Sequence, residues 1–125
     1  MAKTIFLIED ERSLVDALSK FLRDKGYAVQ SASNGKEALE KLPMIKPDFI
    51  LLDIVLPEMS GIDFLGLVQK GENKEFANIP VMILTNLQGD EQQFKKLGLK
   101  IVGYLVKANT PLGFIADKIV EILGK

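Results

Sequence analysis

Residues 49–61 read FILLDIVLPEMSG. Four consecutive apolar residues, 49–52, run directly into an acid, Asp53, and then into a short loop that carries Pro57 and closes at Gly61. A strand covered on one face alternates apolar and polar residues, whereas an unbroken apolar run suits a strand covered on both. Similar runs stand at FLI (6–8), VMIL (81–84) and IVGYLV (101–106), and Tyr27 to Ala32 supplies a further strand. Between them apolar residues recur at helical spacing. Leu14, Leu18, Phe21 and Leu22 precede Gly26; Ala38, Leu39 and Leu42 form a short helix that Pro43 should stop; Leu65 and Val68 follow Gly61. Phe94 and Leu97 mark a weak helix from about Asp90, and Leu112, Ile115, Ile119 and Ile122 stripe a last one that runs out at Gly124-Lys125. Asn34-Gly35 reads as a turn, 71–78 as a polar loop, and Thr110-Pro111 as an N-cap followed by proline at the first helical position. Five strand-then-helix units predict one α/β domain: a five-stranded parallel sheet, doubly wound, with right-handed crossovers.

Composition removes whole classes of chemistry. The chain has 125 residues, 17 acidic and 16 basic, with no cysteine and no histidine. Serine- and cysteine-type triads, thiol nucleophiles, soft-metal sites and disulfides are therefore excluded. A metal here must be bound by oxygen, which means magnesium, calcium or manganese. Fourteen of the basic residues are Lys, spread along the chain, with Arg only at positions 12 and 23, so no nucleic-acid footprint is visible. No apolar run is long enough to cross a bilayer, and Glu9 and Asp10 interrupt any signal-peptide core; a cytoplasmic location is expected, with no membrane insertion.

In a doubly wound sheet, function is expected outside the carboxyl ends of the strands. Glu9 and Asp10 follow the first strand, Asp53 ends the third, Thr85 the fourth, and Lys107 lies just past the fifth. Any one of these alone reads as structural, an acid at a helix start or a turn former. Gathered at one sheet edge, they put three carboxylates, a hydroxyl and an ammonium in one site. Clustered carboxylates repel unless a cation joins them, which magnesium would do. Lys107 adds a point charge suited to a phosphoryl oxygen, and the set supplies what in-line phosphoryl transfer to a carboxylate requires.

These residues resemble the receiver domains of bacterial two-component response regulators, in particular the single-domain, chemotaxis-regulator-like kind. The resemblance covers essentially the whole chain, 1–125, and rests on FILLDIVLPEMSG together with LIEDE (7–11), LT (84–85) and GYLVK (103–107). It implies a flavodoxin-like (βα)5 fold of strand order 2-1-3-4-5. It implies that Asp53 is the phospho-acceptor, that Asp10, Glu9, Asp53 and the carbonyl of Val55 hold Mg2+, and that Lys107 contacts the phosphoryl group. Thr85 would move towards that group and Tyr104 would turn inward, reshaping the surface of the fourth helix, fifth strand and fifth helix. The implied partners are a sensor histidine kinase or histidine-containing phosphotransfer protein and an unidentified protein output partner. The implied role is regulatory: a phospho-acceptor that assists its own phosphorylation and dephosphorylation, rather than an enzyme. No output domain follows within these residues, which suits a stand-alone receiver or one excised from a longer chain.

Four positions depart from the family pattern or bear on rate. Ala108 follows Lys107 where proline, with a cis peptide, is usual; either the peptide is trans and the loop differs, or the site stores strain. Asn86 follows Thr85 where a small residue is usual, which is expected to narrow access. Val55 and Leu87 are apolar and cannot orient a hydrolytic water, so the acyl phosphate should be long-lived, unless both are simply packing residues. Three other functions compete. A flavin protein would need a Ser/Thr/Gly-rich loop where this chain has EDERSL (9–14), and an aspartyl phosphatase or mutase would need a second acid two residues after the nucleophile, where Val55 stands. A receiver-like interaction module independent of phosphorylation is the third.

Overall fold

In the computed structural model the described residues are 2–72 and 74–124. Met1, Asn73 and Lys125 lie outside them, so the 71–78 loop is described without Asn73 and the end of the last helix without Lys125. The elements are β1 (Thr4–Ile8), α1 (Arg12–Asp24), β2 (Ala28–Ala32), α2 (Gly35–Ile45), β3 (Phe49–Leu52), α3 (Gly61–Lys70), β4 (Val81–Thr85), α4 (Glu91–Lys96), β5 (Gly103–Val106) and α5 (Leu112–Leu123). A three-residue 3-10 turn, Lys107–Asn109, follows β5. All neighbouring strands pair parallel in the order β2-β1-β3-β4-β5.

The two-residue period of a strand divides each buried run between two cores. Phe6, Ile8, Ile50, Leu52, Val81 and Ile83 face one cluster, where Leu42 of α2, Phe64 of α3 and Phe94 of α4 cover them. Ile5, Leu7, Phe49, Leu51, Met82 and Leu84 face the other, under Leu18 and Leu22 of α1 and Ile115 and Ile119 of α5. The continuous apolar runs of β1, β3 and β4 are thus explained by burial on both faces. The run at 101–106 is different. Its strand begins only at Gly103 and lies at the sheet edge, where Tyr104, Leu105 and Val106 are half-buried and Val102 is exposed.

Three local expectations are corrected. Pro43 does not stop α2, which runs on to Ile45 and ends with Lys46 in the left-handed region. A proline this close to the end removes only the hydrogen bond to the Leu39 carbonyl, in the last turn. Asn34-Gly35 is a helix start: the Asn34 side chain accepts from Glu37 N–H at 2.8 Å, and the Glu37 carboxylate accepts from Ser33 N–H at 2.6 Å. At α5, Pro111 itself takes the cap position, because the Thr110 hydroxyl is turned back to the Val106 carbonyl at 2.7 Å.

The chain ends meet. Lys3 Nζ donates to the Leu123 carbonyl at 2.8 Å, and the Tyr27 hydroxyl donates to that of Gly124. Both contacts lie at the amino edge of the sheet, opposite the carboxyl ends of the strands.

Gly61 fixes the loop after β3. Its N–H donates to the Ile54 carbonyl at 2.8 Å, which lays α3 directly against the backbone of Asp53. A Cβ at Gly61 would fall well inside contact distance of the Asp53 carbonyl oxygen and 2.9 Å from the Ile54 Cα, both rigid backbone atoms. Gly61→Ala should therefore destabilise the fold by about 2–3 kcal/mol, measured by denaturant unfolding.

Candidate functional site

The parallel ladder delivers the site. Ile8 pairs with Leu52 at the end of β1 and β3, and the backbone goes one step further: Asp53 N–H donates to the Ile8 carbonyl and Glu9 N–H to that of Ala32, each at 3.0 Å. Glu9 and Asp53 therefore leave the sheet side by side. Thr85 ends β4 opposite Val106 of β5, which places Lys107 next in line. Structure and sequence agree on five side chains at this edge: Glu9, Asp10, Asp53, Thr85 and Lys107.

Lys107 holds them together. Its ammonium lies 2.6 Å from Asp53 Oδ2 and 2.6 Å from Glu9 Oε1. The remaining oxygens accept from backbone: Asp53 Oδ1 from Val55 N–H at 3.1 Å, and Glu9 Oε2 from Glu11 N–H at 2.9 Å. Asp53, Glu9 and Thr85 are buried, while Asp10 is exposed at the mouth. The Thr85 hydroxyl accepts a long bond, 3.4 Å, from Leu87 N–H.

Burial is the main influence on the Glu9 carboxyl and lifts it above its ordinary value; hydrogen bonds from Lys107 and Glu11 oppose the rise without cancelling it. For Lys107, burial alone would lower the pKa, but its bonds to Asp53 and Glu9 outweigh burial and raise it. Lys107 is thus a cation throughout the neutral range.

The donor set fits a hard divalent cation. One oxygen each from Glu9, Asp10 and Asp53 lie within 4.8 Å of one another. Oxygens on opposite sides of a magnesium ion are about 4.2 Å apart, so the three are close to the spread that one ion imposes. With all three acids ionised and Lys107 charged, the cluster carries two uncompensated negative charges, which such an ion would match.

Two hydrogen bonds beside the site were not read from sequence, one from Ala108 to Asn86 and one from Tyr104 to Leu87. The Asn86 side chain accepts from Ala108 N–H at 3.0 Å, joining the residues after Thr85 and Lys107. The signal for it was present: without proline, position 108 has an N–H that needs an acceptor. No cis peptide occurs among the described residues, so the Lys107–Ala108 bond is trans and the loop differs, as a 3-10 turn. Val55 and Leu87 are 57% and 47% exposed, which excludes the reading of both as packing residues. Tyr104 is tied to the same loop. Its hydroxyl donates to the Leu87 carbonyl at 2.9 Å, and its ring tilts against Phe94 with centroids 6.1 Å apart.

The sequence matches the response regulator receiver domain family over residues 5–116, and the chain belongs to that family. It is 38% identical over 113 residues to the alkaline phosphatase synthesis transcriptional regulatory protein PhoP of Bacillus subtilis (strain 168), covering 89% of this chain and 45% of that protein. The chain spans about half the length of the curated relatives it matches. Those relatives are regulatory proteins rather than conventional enzymes. Among solved structures, the chemotaxis response regulator CheY4 of Vibrio cholerae superposes with a TM-score of 0.84 at 26% identity, covering 98% of this chain and 100% of that one. The phosphorylated cyanobacterial phytochrome response regulator RcpA superposes with a TM-score of 0.82 at 27% identity, covering 98% and 94%. The flavodoxin-like receiver fold and the strand order expected from the resemblance are both observed. No helix among the described residues is long and apolar enough to cross a membrane.

Removing Lys107 should expose the repulsion it suppresses. In Lys107→Met the Glu9 carboxyl loses the two influences of Lys107 that lower its pKa, so that value rises further. A carboxyl raised in the folded state contributes stability that is complete below its unfolded value near 4.5 and is lost as pH rises through the folded value. The variant's melting temperature, measured in chelator, should therefore fall more steeply than the wild type's between that pH and neutrality. Magnesium should restore more of the loss in the variant.

Proposed function

We propose that the chain is the phospho-acceptor of a two-component relay, with Asp53 the residue that takes the phosphoryl group. The observation that carries this is the Lys107 ammonium held 2.6 Å from Asp53 Oδ2 inside a three-carboxylate cluster. An Asp53 oxygen attacks phosphorus, the bond from phosphorus to a histidine nitrogen of the donor breaks, and the departing imidazole keeps the electron pair and takes a proton. Lys107, released from Asp53 as that charge is spent, pairs with a phosphoryl oxygen. Asp10, Glu9, Asp53 and the Val55 carbonyl would hold Mg2+, which when bound supplies positive charge against the transferring oxygens.

The donor is not within these residues, since the chain has no histidine. A histidine kinase or a histidine-containing phosphotransfer protein is the fitting class, acting in the cytoplasm. Thr85 would close on the phosphoryl group and carry the loop after β4 with it. The bond from Tyr104 to Leu87 links that movement to β5, and the Tyr104–Phe94 contact links it to α4. A two-state change of the α4–β5–α5 surface would then present the signal to a protein partner. The site assists its own phosphorylation and dephosphorylation by positioning these groups.

Incubation with magnesium and a small acyl phosphate should add one phosphoryl group by intact mass, and Asp53→Asn should abolish the addition. No adduct under any condition would favour an interaction module that works without phosphate. With Val55 and Leu87 exposed beside the acceptor and apolar, the adduct should persist for minutes or longer, on the order of tenfold beyond Val55→Asn or Leu87→Glu. Decay within seconds, unchanged in those variants, would refute the slow hydrolysis.

A further inference from the structure

The β4–β5 ladder runs in register from Met82 and Gly103 to Thr85 and Val106 and stops there. Beyond it a side chain takes over. Asn86 Oδ1 accepts from Ala108 N–H at 3.0 Å. A backbone N–H can only donate, so the amide atom facing it must be oxygen. The bond joins the residue after Thr85 to the residue after Lys107, and so ties together the two strand ends that carry those groups.

Lys107 opens the 3-10 turn 107–109, and no side chain caps the start of that turn. Its far end is held by the Thr110 hydroxyl on the Val106 carbonyl at 2.7 Å and by Thr110 N–H on the Lys107 carbonyl at 3.3 Å. On the near side, the Asn86 carboxamide is the group that fixes the peptide following Lys107. A lysine stem has four flexible carbons, so seating its ammonium between two carboxylates depends on where the stem is rooted.

We infer that Asn86 is a positioning residue for Lys107: by holding the Ala108 peptide it sets the root of the lysine that bridges Glu9 and Asp53. It acts through backbone, with no hydrogen bond to either carboxylate among the described residues. The functional part of this inference rests on the reading of Lys107 as the cation that meets the phosphoryl group.

The test uses Asn86→Ala, Asn86→Asp, Ala108→Pro and the Asn86→Ala/Ala108→Pro double variant. Asn86 and Ala108 are exposed, so the melting temperature should change little. In nuclear magnetic resonance spectra, Asn86→Ala should shift the Ala108 amide, speed its hydrogen exchange by roughly three- to tenfold, and move the Lys107 Cε resonance; one neutral hydrogen bond sets that range. Asn86→Asp keeps an acceptor oxygen and should return both signals most of the way. With a small acyl phosphate and magnesium, Asn86→Ala should lower the maximal rate of phosphoryl uptake about three- to tenfold with little change in donor KM. The double variant should be no slower than Ala108→Pro alone, because each change removes the same bond. An unmoved Lys107 Cε resonance in Asn86→Ala, a maximal rate unchanged in that variant, or losses that simply add in the double variant would overturn the inference. The Lys107 resonance reports on positioning without any phosphoryl transfer, so an inert wild type would refute the proposed function while leaving that measurement decisive.

Discussion

One ammonium between two buried acids is the constraint around which the carboxyl edge is organised. Glu9 and Asp53 are brought side by side at the ends of β1 and β3, their backbones held by bonds to Ala32 and Ile8 that extend the β1–β2 and β1–β3 ladders. Two carboxylates so placed repel, and Lys107 answers both at once from the next strand end but one. Without a divalent ion, the repulsion is held in check by a charged and seated Lys107. When one of the two acids changes its charge or gains a group, the lysine must redistribute, and the loops attached to it are those after β4 and β5. Under the proposed function, electrostatics would make the acceptor and the switching surface parts of one system.

The scaffold keeps this cluster in place by covering the sheet on both faces and leaving only its carboxyl edge open. β1 and β3, which carry three of the acids, and β4 are inner strands packed between two cores. Burial on both faces gives their ends a firmly packed platform. The groups that would move, Tyr104 and the turn after Lys107, belong to β5, an edge strand covered less completely. Under the proposed function, acceptor and reporter would thereby be separated by strand order.

Much of this was legible in the sequence, and the reasons are specific. Burial on both faces leaves an unbroken apolar run, so 6–8, 49–52 and 81–84 announced inner strands and the residues after them announced the site. The run at 101–106 misled because apolarity does not distinguish a strand interior from a half-covered edge or from the residues leading into it. Pro43 and Asn34-Gly35 misled because the same residue types serve helix ends as well as turns, and only the backbone decides between them. Only half of the Asn86–Ala108 bond was legible: an alanine at 108 leaves an N–H that needs an acceptor, but no periodicity encodes that the acceptor is a side chain 22 positions away. Gly61 stood in the quoted motif, but the reason for glycine there, the Asp53 carbonyl against it, is visible only in three dimensions.

The meeting of the two chain ends has a consequence for modular use of the fold. Lys3 touches Leu123 at the edge of the sheet remote from the acids, so a segment attached at either end would depart from the same small area of surface. It would lie some sheet-length from the acceptor and leave the approach to Asp53 open. The unit behaves as a plug with its contacts on one end and its lead on the other. Such a geometry suits relatives in which the matching region makes up about half of the protein, since whatever fills the other half need not cover the carboxyl edge of the sheet.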